Sequence, residues 1–316
     1  MSAQRSLNTF APSFGFQFTS SDGMRIACAR WDSRRRVRGV VQIAHGIGEH
    51  IGRYAETIEF LIANGLTVYG NDHRGHGRTA VPGAHFGDFG RGGFDLLVED
   101  MICLSRLARR ENPNLPLMLL GHSMGSFAAQ QYALDHSGDI DALILSGSGA
   151  LDGLEKLARS APAGSNFLNA PFEPARTPFD WLSRDTEVVD AFIDDPLCFA
   201  ELQPAAFASF LAAAPRLSDP RYLRRIRDDL PIYLFSGSED PVGQELEGVQ
   251  TLIDRYRRAG IYDISHDFYA GGRHEMLNEI NREVVRARLL AWISAVLERE
   301  EGRPAAPSDT MELSFI

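Results

Sequence analysis

The chain has 316 residues, of which 44% are hydrophobic, and a formal net charge of −10. That length and apolar content suit one large α/β domain with an inserted segment and a sizeable core. The acidic balance argues against nucleic acid as a partner and against electrostatic docking on anionic membranes.

From the N-terminus, residues 14–19 and 24–31 read as an antiparallel pair of strands joined by the turn Ser20-Ser21-Asp22-Gly23. The run Arg34-Arg35-Arg36 reads as a solvated loop, and 39–44 as the next strand. His45-Gly46-Ile47-Gly48-Glu49-His50 follows it directly. An HG-x-G turn after a third strand can aim a backbone N–H at a developing oxyanion, and Ile47 is the expected donor. Two histidines and a glutamate also raise a metal site. They lie on a Gly-rich loop, however, not on one helix face as H-E-x-x-H requires, so no metal is expected. Residues 54–64 read as a helix ended by Gly65, 66–70 as a strand, and 71–93 as a Gly-rich loop near the site. Leu96, Leu97, Met101, Leu104 and Leu107 recur at helical spacing within a helix over 94–110.

The apolar stretch 115–120 then runs into Gly121-His122-Ser123-Met124-Gly125, followed by the helix-forming residues 126–133. Strand, G-x-S-x-G and helix in that order form a nucleophile elbow, in which a sharp turn lifts the serine hydroxyl above the sheet edge. The free N–H groups of the new helix face the same spot, which makes Met124 the second expected oxyanion donor. Residues 140–145 read as another strand, and the strand–helix alternation predicts a mostly parallel central sheet flanked by helices. Over 151–221 the alternation stops, which predicts an inserted helical cap. Its aromatics, Phe167, Phe172, Phe179, Trp181, Phe192, Phe199, Phe207 and Phe210, either line an acyl-chain tunnel or fasten the cap to the main domain. A buried strand leads into Glu239-Asp240, a strand over 264–269 leads to His274, and a helix spans about 282–297.

Ser123, Asp240 and His274 thus follow strands in the order nucleophile, acid, base. In that reading His274 takes the Ser123 proton as the oxygen attacks a carbonyl, and Asp240 fixes the imidazole tautomer and stabilises its charged form. Asp240 can also be read as a turn cap, and Glu239 is the adjacent rival acid. Among the other histidines, His122 reads as pointing away from the elbow and His266 as structural. His45, His50, His73 and His76 fall in earlier loops.

Five stretches carry a family resemblance: HGIGEHIGRY from His45, NDHRGHGRT from Asn71, GHSMG from Gly121, GSEDPV from Gly237 and YAGGRHEMLNE from Tyr269. With them the chain resembles the monoacylglycerol lipase and lysophospholipase branch of the α/β-hydrolases, over about residues 14–296. With that resemblance, the pattern divides into an α/β-hydrolase core over 1–150 and 222–299 and a cap over 151–221, and the Pro- and charge-rich composition of 300–316 reads as a flexible tail. The resemblance implies hydrolysis of single-acyl-chain lipid esters or smaller carboxylic esters, without a cofactor. Ser123, Asp240 and His274 become the triad, and Ile47 and Met124 the oxyanion donors. Glu49, Arg53 and His122 match positions that can line the alcohol side. Phe192 stands where some relatives carry a tyrosine, which puts a preference for glycerol esters in question.

Rival classes stay open in the sequence. A small-ester esterase is one. An aminopeptidase would use the same triad with an acidic cap residue for the substrate amine, and Asp185, Asp190, Asp194 and Asp195 are available. A non-catalytic binding protein would be expected to break one of the triad or oxyanion positions, and none is broken. Cys28, Cys103 and Cys198 are odd in number and widely spaced, and read as core residues in a reducing compartment, with Cys198 partly accessible. No signal peptide and no apolar run of membrane-spanning length is found, so the expected location is cytoplasmic, with at most transient contact with a lipid surface.

Overall fold

The alternation becomes a single eight-stranded sheet in the computed structural model, which describes residues 11–80, 86–162 and 165–301. In chain order the elements are β1 (Phe14–Thr19), β2 (Arg25–Trp31), β3 (Gly39–Ala44), α1 (Ala55–Ala63), β4 (Leu66–Asn71), α2 (Gly93–Glu111), β5 (Leu117–His122), α3 (Met124–His136) and β6 (Ala142–Ser146). An insertion follows, containing α4 (Leu151–Ser160), α5 (Thr186–Asp194), α6 (Pro204–Leu211), α7 (Ala214–Ser218) and α8 (Pro220–Leu223). The chain then resumes with β7 (Ile232–Gly237), α9 (Glu247–Ala259), β8 (Ile264–Tyr269) and α10 (Arg282–Glu301). The strand order is β1-β2-β4-β3-β5-β6-β7-β8. β2 runs antiparallel to both β1 and β4, and every later pairing is parallel.

Every residue of β3, β4, β5, β6 and β7 is buried. Parallel strands covered on both faces need such near-continuous apolar runs, and VVQIA, LMLLG and ALIL supply them. Side chains alternate between two cores. Leu117 and Leu119 join the cluster that contains Leu97 and Met101 of α2, Phe127 and Tyr132 of α3, and Leu252 of α9. Met118 and Leu120 join the one that contains Ile58 and Leu61 of α1 and Leu289 and Ile293 of α10. Truncating one of these fully buried leucines to alanine costs about 2–5 kcal/mol.

The insertion is fastened to the core by buried aliphatic residues, among them Leu151, Leu202, Leu211 and Leu217, and by aromatics. Phe210 sets its ring 5.2 Å from Phe94 and 5.6 Å from Phe127, and Phe199 lies 4.9 Å from His76. Phe179 and Phe192 pack with tilted rings 5.0 Å apart in a small cluster with Leu182 and Val189. The cysteine reading needs one correction: Cys28 is buried and Cys198 half-buried, but Cys103 is exposed. Ile102 and Leu104 on either side of it are buried, and the helical turn of 100° per residue carries Cys103 to the solvent face of α2. The C-terminal helix runs to Glu301, four residues past its expected end, and the remainder of the expected tail, 302–316, lies outside the described residues. Arg35, Arg36 and Arg38 border a cavity of about 360 Å³ beside Gly65 and Leu290, at the amino ends of the parallel strands. Among the described residues, no helix is long and apolar enough to cross a membrane.

Candidate active site

All three predicted chemical residues sit beyond carboxyl ends of parallel strands, the edge where α/β sheets bind ligands. Between β5 and α3 only Ser123 remains to make the turn, and it does so with φ 52° and ψ −124°. Such a backbone is costly for a residue with a Cβ and persists only where its surroundings enforce it. Here the Ser123 N–H donates to the Ser146 carbonyl at 2.9 Å, and its carbonyl accepts from the Ser126 N–H at 2.8 Å and the Ser126 hydroxyl at 2.6 Å. Met124 is the first residue of α3, so its N–H has no acceptor within the helix and lies at the positive end of the dipole.

Asp240 follows β7 and His274 follows β8. Their side chains meet at 2.9 Å, Nδ1 to Oδ1, with Asp240 fully buried and His274 1% exposed. The same carboxylate oxygen accepts from the Val242 N–H at 2.9 Å. A proton on Nδ1 shared with Asp240 leaves Nε2 as the acceptor. Burial by itself pushes the His274 pKa down. The charge and hydrogen bond of Asp240, with Glu275 and Glu49 behind them, outweigh it and hold the pKa above the ordinary histidine value. Glu239 is exposed; its N–H donates to the Gly272 carbonyl.

The HG-x-G turn lies against the elbow: a Cβ on Gly46 would stand only 3.0 Å from the Ser123 Cβ. Three histidines back it. His45 Nδ1 donates to the Gly46 carbonyl at 2.8 Å, and its Nε2 accepts from the His73 N–H at 2.9 Å. The His76 ring packs 5.2 Å from His45. Burial drives His45 to about 4 and His76 to about 3, so both are neutral supports, not bases, near neutral pH.

Glu49, Arg53, His122 and Phe192 also gather here. Glu49 accepts from the Gly46 N–H at 2.6 Å, the Tyr54 hydroxyl at 2.7 Å and Arg53 at 2.9 Å. Burial pushes its pKa up, but Arg53, the nearby histidines and the Gly46 hydrogen bond hold it at about 2. The Arg53 guanidinium lies 5.0 Å from the centre of the buried Phe192 ring. His122 departs from expectation. Its ring turns toward His274, 4.7 Å away, and its Nδ1 lies 3.2 Å from the Ser146 hydroxyl. Alternation along β5 sends it that way, and burial followed by repulsion from His274 lowers its pKa to about 4.

Two further neighbours complete the site: Glu275, which the sequence did not single out, and Trp181, one of the cap aromatics. Trp181 of the insertion packs its ring 4.9 Å from His274, and Glu275 makes a two-pronged contact with Arg53 at 2.6 and 2.9 Å. Only the adjacency of Glu275 to His274 could have drawn attention to it; Trp181 is one of eight cap aromatics that the sequence leaves between tunnel lining and packing. The sequence also did not bring His50 to Asp195, 2.9 Å away across the insertion boundary. With Cys198 these residues form a group whose candidate metal-ligand atoms lie within 4.8 Å of one another. His50 Nδ1 accepts from the Gly52 N–H, which puts the ring proton on Nε2. The nitrogen facing the group is therefore a donor to Asp195, not a ligand lone pair.

A family profile described as serine aminopeptidase, S33, matches residues 35–281. The chain belongs to the serine aminopeptidase S33 family. Within it, the chain is 32% identical to a monoacylglycerol lipase of Mycolicibacterium smegmatis over 278 residues, covering 87% of this chain and 95% of that one. It is 28% identical to a monoglyceride lipase of Rattus norvegicus over 285 residues, with 87% and 88% covered. Among solved structures it superimposes on a thermostable carboxyl esterase of Bacillus coagulans, determined in complex with glycerol, at TM-score 0.81 and 29% identity, covering 90% of this chain and 98% of that one. The fold is therefore that of the α/β-hydrolases, and this S33 member is an ester-hydrolysing enzyme, as the five sequence stretches implied.

Proposed function

We propose that the protein cleaves single-acyl-chain lipid esters, monoacylglycerols or lysophospholipids, through an acyl-enzyme on Ser123. The observation that carries this reading is the buried Asp240–His274 hydrogen bond of 2.9 Å at the strand-end edge that also holds the Ser123 elbow. His274 Nε2 removes the Ser123 proton as Oγ attacks the ester carbonyl. The N–H groups of Ile47 and Met124 receive the oxyanion. His274 then returns the proton to the departing alcohol, and water, activated by the same imidazole, releases the acid. The core spans 1–150 and 222–299, and the insertion over 151–221 acts as the cap above the acyl group. Leu157, Ile193 and Phe207, apolar and exposed on α4, α5 and α6, are the side chains with which the cap would meet a lipid surface.

The monoacylglycerol lipases among the relatives favour a glycerol ester as substrate. Phe192 supplies an apolar wall with no hydroxyl for the glycerol, so selectivity for that alcohol should be modest. The aminopeptidase reading is disfavoured by the state of the cap acids. Asp185 pairs with Arg282, Asp190 with Arg176, and Asp195 accepts a hydrogen bond from His50, which leaves of these four only the exposed Asp194 without a side-chain partner among the described residues to receive an amine. The test is hydrolysis of p-nitrophenyl esters of two to sixteen carbons, a monoacylglycerol, a lysophospholipid and an amino-acid p-nitroanilide, by the parent and Ser123→Ala. Ester cleavage that rises with chain length, spares the anilide and disappears in Ser123→Ala is expected. Turnover retained in Ser123→Ala, or preferential anilide cleavage, would refute it.

A further inference from the structure

Four polar side chains, the buried Glu49, Tyr54 and Glu275 and the half-buried Arg53, tie the loop of His274 to the turn of Ile47. Glu275, next to the base, accepts from Arg53 Nη1 at 2.6 Å and Nη2 at 2.9 Å, and from Asn278 Nδ2 at 2.9 Å. Arg53 Nη1 also donates to Glu49 Oε2 at 2.9 Å. Glu49 Oε1 takes the Tyr54 hydroxyl at 2.7 Å and the Gly46 N–H at 2.6 Å. A continuous hydrogen-bonded path thus runs from the residue after the base to the residue before Ile47. Glu49 is 3% exposed and Glu275 4%. Two buried carboxylates sharing one guanidinium have no solvent to fall back on, and the planar fork of arginine fixes angle as well as distance.

We propose that Glu275 and Arg53 are positioning residues, acting through Glu49 to hold the Gly46-Ile47 turn in register with Ser123 and His274. This rests on the triad reading above. Oxyanion donors act only when preorganised within about 3 Å of the developing charge, and a misplacement of about 1 Å costs on the order of 100-fold in rate. The Gly46 turn touches the elbow, so any slack in the Glu49 hydrogen bond reaches the oxyanion site directly. The same bonds engage both Glu49 oxygens and three of the five Arg53 N–H donors, so these side chains are held first of all by the protein itself.

The network also bears on the base. The groups facing His274 are Asp240, Glu275, Glu49, the His122 ring and the Trp181 ring, and the three carboxylates favour its charged form. Removing the charge of Glu275 lowers the His274 pKa, an effect that a purely structural role would not have.

The experiment compares the parent with Glu275→Gln, Arg53→Lys, Tyr54→Phe and Ser123→Ala, full length. Readouts are kcat and KM for p-nitrophenyl butyrate, inhibition by a trifluoromethyl ketone, the pH profile of kcat/KM and the melting temperature. The ketone adds to a serine to form a tetrahedral oxyanion. For Glu275→Gln, kcat should fall about 10–100-fold with KM within about threefold, and ketone affinity should weaken in step. The acid limb of its pH profile should move to lower pH, and Arg53→Lys should lie between it and the parent. Parent-like kcat and ketone affinity in a folded Glu275→Gln overturn the proposal. So does a rise in KM with kcat unchanged, which would make these residues substrate contacts. If Glu275→Gln does not fold, Tyr54→Phe decides: it removes one bond to Glu49 without stranding a charge, and parent-like kcat in it overturns the proposal. Activity in Ser123→Ala defeats the triad reading itself, whereas an inactive Ser123→Ala beside a parent-like Glu275→Gln defeats only the positioning role.

Discussion

Replacing Gly125 with alanine sets local propensity against tertiary packing. Gly125 lies in the first turn of α3, where alanine is favoured over glycine by up to about 1 kcal/mol. The added Cβ, however, would stand 2.2 Å from the Ala44 carbonyl oxygen and 2.5 Å from that of His45. Both are backbone atoms at the end of β3, just before the Ile47 turn. Reaching an ordinary contact of 3.4 Å requires α3 and β3 to separate by about 1.2 Å (3.4 − 2.2). Overpacking of this kind costs about 1–3 kcal/mol, and more when backbone must move, so packing outweighs propensity. A net loss of about 2 kcal/mol lowers the melting temperature by about 4–8 °C, on the scale of ~2–4 °C per kcal/mol for large domains. The same separation pulls the Met124 N–H away from the Ile47 N–H, and kcat should drop by on the order of 100-fold. Scanning calorimetry and steady-state kinetics on Gly125→Ala give both numbers. A melting temperature equal to or above the parent's, with full kcat, would refute the reasoning.

Asp240→Asn should lower kcat by roughly 10³–10⁴-fold, because an amide favours the wrong imidazole tautomer, while Glu239→Gln should stay within about twofold. Kinetics on the two variants check this, and the reverse ranking would move the acid to Glu239. As the proposed base, His274 works only when neutral, and its pKa is raised, so kcat/KM should fall on the acid side with a midpoint above about 6.5. A pH–rate profile on a substrate that does not ionise in that range measures it, and a midpoint well below 6 would contradict the Asp240 coupling.

Much of the site was legible because it is local. Ser123 could be named from an apolar strand, two flanking glycines and a helix, and the HG-x-G turn from the strand before it. Each signal depends only on neighbouring residues and on the periodicity that buries β3 and β5 on both faces. Local pattern also leaves specific things open. Glu239 and Asp240 are chain neighbours, and sequence could not rank them by geometry; the turn after β7 exposes the first and buries the second against His274. His122 reads as turned away from a tight turn, yet the strand's alternation sets its ring beside His274. Cys103 reads as core until the phase of α2 places it outside. The Arg53–Glu275 contact joins residues 222 positions apart. Sequence determined the elements and the chemical groups they carry, because propensity, burial and turn chemistry act over a few residues. Which distant charges meet was decided by the order β3-β5-β6-β7-β8 and the fold of the loops at its carboxyl edge, since only the closed structure removes the water that would otherwise solvate them.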